Sequence, residues 1–312
     1  MTDDNTGSNA QNWGNYWQGR AASEAGAALV GVGVENDAQI AAFWDDVLNG
    51  LPKDAAVLDL ACGAGSVLRR AKACGLSNLT GVDISPDAIT TLKAAFPEVT
   101  GVAAPADATG LSDASFDMVA SQFGFEYADV SKAATEAARL IKPGGAFVAL
   151  AHIQTGAIET EVAAQLSDAR AITDTAFIPL AKALFKVDMS GGSDADFEAA
   201  LARFSPAQEQ LLTIARRTGG LAEHLYRGTQ TLYQGRIGYN LSDINGWLDG
   251  MAAEIAAFTG RMDSMRQAAL SESEAQSVLD ILTRSDMDVT PLDILTLGTD
   301  KVAWIIRAKT PA

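Results

Sequence analysis

The chain has 312 residues, 48% hydrophobic and 20% charged, an ordinary composition for a soluble globular protein and enough for two domains or one domain with a large insertion. Its formal net charge is −16, and it has no basic stripe of the kind that replaces counterions on polymer phosphate, which argues against a nucleic-acid partner. Cys62 and Cys74 are too few for a disulfide framework, no apolar run reaches the ~18 residues of a membrane span, and the polar, acidic start lacks a secretory signal pattern; a cytoplasmic protein is expected.

Along the chain, residues 1–12 are rich in Asp, Asn, Gly and Ser, and an aromatic stretch follows, Trp13-Gly14-Asn15-Tyr16-Trp17-Gln18-Gly19-Arg20. Ala38 to Leu48 reads as a helix stopped by Gly50 and Pro52. Ala55 to Leu60 is a short apolar run suited to a buried parallel strand. Cys62 to Gly65 is a Gly-rich turn, and Ser66 to Cys74 a helix. Leu79 to Ile84 is a second strand, after which Ser85-Pro86-Asp87 opens a helix, with Asp87 in a capping role. Val99 to Ala104 and Phe116 to Ser121 are the third and fourth strands. Val130 to Leu140 is a helix, Lys142-Pro143-Gly144-Gly145 a tight turn, and Ala146 to Ala151 a fifth strand. Alternation of this kind implies right-handed βαβ units and a parallel sheet covered on both faces.

From Ile158 to about Arg284 the pattern turns helical, with four to six helices punctuated by Gly191-Gly192-Ser193 and Gly219-Gly220. Strands return at Val289 to Leu297 and Lys301 to Ala308, joined by a hairpin turn at Gly298-Thr299-Asp300. The expected organisation is an N-terminal segment over a ligand site (1–37), an α/β core (38–154), a helical insertion (155–285) and a hairpin that completes the core sheet (286–312).

Candidate ligand-binding positions cluster at strand ends. The Gly-rich turn after Asp59 lets backbone approach a ligand closely, and the helix that follows offers free N–H groups. Asp83 ends the next strand, where a carboxylate can accept both ribose hydroxyls. Asp107, after the third strand, is placed to accept from an exocyclic adenine amine. The fourth strand runs into Ser121-Gln122-Phe123-Gly124-Phe125-Glu126-Tyr127, at the end of the sheet where open α/β folds bind ligands.

In that order, Asp59-Leu60-Ala61-Cys62-Gly63-Ala64-Gly65, Asp83, Asp107, Phe116-Asp117-Met118-Val119 and Leu140 to Gly145 resemble the motifs of class I S-adenosylmethionine (SAM)-dependent methyltransferases. The 122–127 stretch is most similar to the quinone-biosynthesis and natural-product branch of small-molecule enzymes. Ala61 stands where the family's first motif glycine is usual. The resemblance covers about residues 40–152 and the closing strands. It implies a Rossmann-like, seven-stranded, mostly parallel sheet with an antiparallel C-terminal hairpin, with SAM as cofactor and S-adenosylhomocysteine as product. It further implies that Ala61, Gly63 and Gly65 lie against the methionine part and that Asp59 is near the amino group. Asp83 would then take the ribose hydroxyls, Ile84 pack on the adenine, Asp107 and Ala108 bind its edge, and Ser121 and Gln122 line the methyl end.

Further expectations concern the acceptor side. Tyr16, Trp17 and Arg20 are expected to close the cofactor site, with Arg20 on the SAM carboxylate. His152, following the fifth strand, is the candidate general base. Glu126, Tyr127 and His224 are candidates for binding the acceptor. The insertion serves as a lid, a homodimer element or both. No residue grouping has metal-ligand spacing. The expected reaction is methyl transfer to O, N or C of a small molecule. A non-catalytic SAM-binding sensor or partner protein is the alternative, while a nicotinamide oxidoreductase is disfavoured because the turn lacks Gly-x-Gly-x-x-Gly.

Overall fold

Residues 34–312 are described by a computed structural model; Tyr16, Trp17 and Arg20 lie outside them. The first described element is α1 (Val34–Asn49), which buries Ile40, Trp44 and Leu48, one residue per turn. Five parallel-type strands then alternate with helices: β1 (Ala56–Leu60), α2 (Ser66–Ala73), β2 (Asn78–Asp83), α3 (Pro86–Ala95), β3 (Thr100–Ala103), β4 (Phe116–Gln122), α4 (Val130–Leu140) and β5 (Ile141–His152). All five residues of β1 are buried, as a strand covered on both faces requires. Ser85, not Asp87, caps α3: its side chain accepts the Ala88 N–H, and Asp87 sits in the first turn.

The sheet runs β3-β2-β1-β4-β5-β8, with β8 (Asp300–Lys309) antiparallel to β5. Chain order reverses between β1 and β4. Such a switch point is where doubly wound sheets bind ligands. One layer of the core joins Leu58 and Leu60 of β1, Val119 of β4 and Phe147 of β5 to Ala133, Ala137 and Leu140 of α4. Each such fully buried large apolar side chain contributes roughly 1.5–3 kcal/mol.

Two strand boundaries differ from expectation. Lys142 to Gly145 does not end in a turn before the strand but is absorbed into β5 as a bulge. Phe116 pairs with Ile141 and Met118 already with Ala146, leaving residues 142–145 opposite Asp117. Gly145 is required there, because a Cβ would lie 2.7 Å from Ile141 Cγ2 and 2.9 Å from the Asp117 carbonyl. The single strand expected over Val289 to Leu297 is two, β6 (Asp288–Val289) and β7 (Asp293–Leu297), both paired to β8. Pro291 lies between them and has no N–H to give a ladder.

The described residues divide into two compact units, 34–162 with 264–312, and 163–263. The helical unit is therefore narrower than the expected span 155–285. Of the six helices between β5 and β6, α6 (Phe177–Met189), α7 (Asp194–Thr218) and α8 (Gly220–Gln234) lie wholly within it. The unit boundaries fall inside α5 (Ala157–Asp174) and α9 (Leu241–Ala268). The last helix, α10 (Glu272–Arg284), belongs to the α/β core, where Ala275, Val278, Leu279 and Leu282 are buried. The helical unit has its own core of Phe177, Phe185, Phe204, Leu211, Leu225 and Leu248, among others. Its longest wholly internal helix starts with a capping box in which Ser193 and Asp196 satisfy each other's backbone N–H. No described helix is long and apolar enough to cross a membrane.

Two local features make testable claims. Ala61 has φ 57°, a left-handed conformation that costs a residue with a Cβ roughly 1–2 kcal/mol. Ala61→Gly relieves that strain but frees the unfolded chain, so a net gain of about 0.5–1 kcal/mol is expected in urea unfolding; a loss would show that the methyl group packs better than the strain costs. Glu136 on α4 accepts the Thr109 N–H at 2.9 Å and hydroxyl at 2.5 Å and pairs with Arg139 at 2.7 Å. The Arg139 hydrogen bond, aided by those from Thr109, pulls its carboxyl from the usual 4.5 down to about 2. The folded state thus holds the Glu136 proton more weakly than the unfolded chain, so its stabilisation is whole above pH 4.5 and is lost as pH falls toward 2. Glu136→Gln should cost about 1–2 kcal/mol at neutral pH after solvent screening, with the urea midpoints of the two proteins converging across that acid window.

Candidate active site

At the end of β1 the chain turns through Ala61 (φ 57°), Gly63 (φ 51°) and Gly65 (φ 84°) before α2 begins. A Cβ on Gly65 would lie 2.5 Å from Leu92 Cδ1, so the turn is pressed close against α3. Asp83, at the end of β2, clamps this turn: its Oδ2 accepts the Gly63 N–H and its Oδ1 the Ser85 N–H, both at 2.8 Å. A carboxylate has about four acceptor sites, so two remain for a ligand. Burial raises the Asp83 carboxyl above its usual value, and the two backbone donors pull against that shift.

Asp59 is 1% exposed. Its Oδ2 has no hydrogen-bond partner among the described residues. Burial first, and the neighbouring Asp83 charge second, push its carboxyl well above the ordinary range. Two buried carboxylates thus lie close together beside a Gly-rich turn, an arrangement that favours a ligand carrying positive charge. Ile84 and Asp107 are half-buried and Ala108 is exposed at the following strand ends.

The fully buried Ser121 hydroxyl donates to the Leu60 carbonyl at 2.7 Å and accepts the Phe125 N–H at 3.1 Å, tying β1 to the turn after β4. The hydroxyl's donor and one of its two acceptor lone pairs are engaged within the protein. Gln122 remains half-buried at the end of β4. Asp117 of the fourth-strand motif is structural: it accepts the Ala56 N–H at 2.7 Å and pairs with Lys142 at 2.9 Å, at the opposite end of β4. The Lys142 hydrogen bond holds its carboxyl below the usual value.

Glu126 and His152, expected separately, are brought together. Glu126 lies in a short 3-10 turn (Phe125–Tyr127) after β4, and His152 ends β5, the parallel neighbour of β4. Glu126 Oε1 lies 2.7 Å from His152 Nδ1 and also accepts the His152 backbone N–H at 3.0 Å. Both residues are 3% exposed. Glu126 Oε2 and His152 Nε2 have no partner among the described residues. The His152 carbonyl accepts the Leu270 N–H at 2.8 Å, so the histidine backbone is held on both sides. The Phe123 ring lies 4.6 Å from the imidazole and Tyr127 meets it edge-on at 5.9 Å. Burial, and secondarily the Glu126 charge, raises the Tyr127 hydroxyl well above its usual range. Phe123 was not expected; its signal was the Phe-Gly step after a strand, and it adopts φ 52°. A Cβ on Gly124 would lie 2.7 Å from both Ala61 Cβ and the Ala61 carbonyl, so this turn packs directly on the Gly-rich one.

His224 lies in the helical unit, on α8, its ring 5.9 Å from that of Trp247.

Residues 58–149 match the methyltransferase domain family. A 2-methyl-6-phytyl-1,4-hydroquinone methyltransferase of Synechocystis is 41% identical over 106 residues, 32% of this chain and 33% of that protein. A ubiquinone/menaquinone biosynthesis C-methyltransferase of Campylobacter jejuni is 30% identical over 107 residues, 32% of this chain and 46% of that protein. An uncharacterized methyltransferase of Mycobacterium tuberculosis is 34% identical over 89 residues, 28% of this chain and 36% of that protein. The chain thus spans between a third and a half of the length of these curated relatives. Among solved structures, a SAM-dependent methyltransferase of Mesorhizobium loti is 30% identical, covering 35% of this chain and 53% of its own, with a TM-score of 0.32. The match over β1 to β5, falling on the Gly-rich turn and the two strand-end carboxylates, identifies the α/β core as a class I SAM-dependent methyltransferase domain.

Proposed function

We propose that this chain transfers a methyl group from SAM to a small-molecule acceptor by in-line displacement. The observation that carries the reading is the pair of buried carboxylates, Asp59 and Asp83, set against a left-handed Gly-rich turn, with one Asp59 oxygen lacking any donor. SAM fits that chemistry, since it has two cationic centres and a ribose with two hydroxyl donors. When bound, it supplies an activated methyl group on a sulfonium.

In this reading Asp59 accepts from the amino group, directly or through water, and the free acceptor sites of Asp83 take the ribose hydroxyls. Gly63 and Gly65, with Ala61, leave room for the methionine part. Ile84 packs on the adenine, Asp107 and Ala108 meet its edge, and Gln122 faces the methyl end. His152 removes the acceptor's proton, while Tyr127 binds the acceptor. Positioning of this kind supplies about 7–11 kcal/mol of barrier reduction in favourable cases. Residues 163–263 serve acceptor selection, self-association or both. The names of the Synechocystis and Campylobacter relatives support an aromatic, quinone-like acceptor.

Asp83→Ala should weaken SAM binding by roughly 1.5–3 kcal/mol, or about 10- to 100-fold, by calorimetry; unchanged affinity would refute the ribose assignment. Asp59 makes a claim of opposite form. Its carboxyl is raised by burial when no cation is present, and a bound ammonium favours the ionised state. SAM binding should therefore release protons, and affinity should rise with pH through the Asp59 titration. Calorimetry in buffers of different ionisation enthalpy reads that release directly, and Asp59→Asn should abolish it.

The function itself is tested by incubating the protein with methyl-labelled SAM and a small-molecule extract of its source cells, beside a macromolecular fraction. Label in a metabolite is expected. Label in protein or nucleic acid overturns the acceptor class. SAM binding without transfer to any fraction favours the non-catalytic alternative.

A further inference from the structure

We propose that Glu126 is a positioning residue that holds His152 as a neutral proton acceptor, and that the acceptor molecule is methylated on the oxygen of an ionisable hydroxyl. This rests on the reading of the chain as a methyltransferase and names the substrate class of that site.

The argument begins with donors and acceptors. Glu126 Oε1 already takes the His152 backbone N–H at 3.0 Å, which fixes that oxygen as an acceptor. The ring nitrogen 2.7 Å from the same oxygen is placed to donate to it, and we assign His152 the Nδ1–H tautomer, with a lone pair on Nε2. Among the described residues, that lone pair and Glu126 Oε2 are both sealed from solvent and both lack a donor. Buried polar atoms without partners are costly, and here two sit within one side-chain pair. Both are hydrogen-bond acceptors. The complementary ligand group is a donor that can lose its proton, and a hydroxyl meets that demand. A protonated amine has no lone pair for the methyl group until a proton is removed, and a neutral amine can attack without a base.

The surroundings suit a planar, apolar body behind the hydroxyl. Phe123 and Tyr127 wall the imidazole, and both are half-buried. Access requires one wall to move. Phe123 is the candidate, since its left-handed backbone, at φ 52°, is a strained state that other contacts must hold in place. In the step proposed, the hydroxyl proton moves to His152 Nε2 and the oxygen's electron pair forms the bond to the methyl carbon. The carbon–sulfur bond breaks with its pair on sulfur, leaving a neutral thioether, a methyl ether and an imidazolium beside the Glu126 carboxylate.

The chain has two histidines, so nitrogen-15 NMR of histidine-labelled protein without cofactor is simple to assign, with His224→Gln identifying the second signal. At pH 8.5 we expect His152 with Nδ1 protonated and Nε2 bare; a protonated Nε2 overturns the dyad. In parallel, carbon-13 methyl-labelled SAM with the small-molecule extract reports the methylated atom by its shift. An O-methyl product is expected, and an N-methyl or C-methyl product overturns the substrate class. Glu126→Gln should lower kcat about tenfold or more, and His152→Gln about a hundredfold or more, with SAM affinity within twofold of wild type. A loss confined to SAM affinity overturns the positioning role. If SAM does not bind at all, it is the proposed function that fails, and the tautomer measurement, made without SAM, still decides the dyad.

Discussion

The site depends on one hydroxyl. Ser121 stands at the point where the strand order reverses, and its Oγ bridges the Leu60 carbonyl of β1 and the Phe125 N–H beyond β4. On the β1 side of that bridge lie Asp59 and the Gly-rich turn. On the β4 side lie Phe123, Glu126 and the imidazole of His152. The β1–β4 ladder runs from Val57–Met118 to Asp59–Ala120 and stops short of Leu60 and Ser121. A buried, doubly engaged serine supplies the missing connection with two hydrogen bonds. The close approach of Gly124 to the Ala61 carbonyl and Cβ reinforces it.

Either side of this tie concentrates negative charge or lone pairs without compensating donors. Burial and the Asp83 charge raise the cost of ionising Asp59, and Glu126 accepts twice on one oxygen and, among the described residues, not at all on the other. A fold selected for stability alone would fill these positions with apolar side chains of similar volume. Their retention in a dry setting is what electrostatic preorganisation requires: groups already oriented and already desolvated before a ligand arrives. The cost is met by the apolar layer beneath, where the strands bury Leu58, Leu60, Val119 and Phe147 completely.

Much of this was legible in the sequence because the signals were local. Short apolar runs ending at Leu60 and Asp83, each followed by helix-start residues, specify strand–turn–helix units without reference to distant parts of the chain. The carboxylates at those strand ends follow from the same units. What was not legible depended on pairing. Glu126 and His152 are 26 residues apart, and only the adjacency of β4 and β5 makes them partners. Ser121 reads the same in sequence whether its hydroxyl meets a ligand or a carbonyl. The helix at 272–284 was grouped with the insertion because an amphipathic Ala/Leu stripe does not say which surface it covers. Pro291 was readable and was passed over, although a proline inside an expected strand is a direct warning of a break.

That break bears on how the molecule behaves among its neighbours. The free rim of a β-sheet is a template for joining another chain, and long flat rims invite fibrous aggregation. Here the outer side of β8 is covered by a two-residue strand and a five-residue strand with a proline between them. At the opposite rim β3 is only four residues long. Neither rim offers an uninterrupted run of unpaired backbone groups. A large, mostly parallel sheet, of a kind that forms slowly and stays exposed while it does so, thereby presents few places for two half-folded copies to zip together.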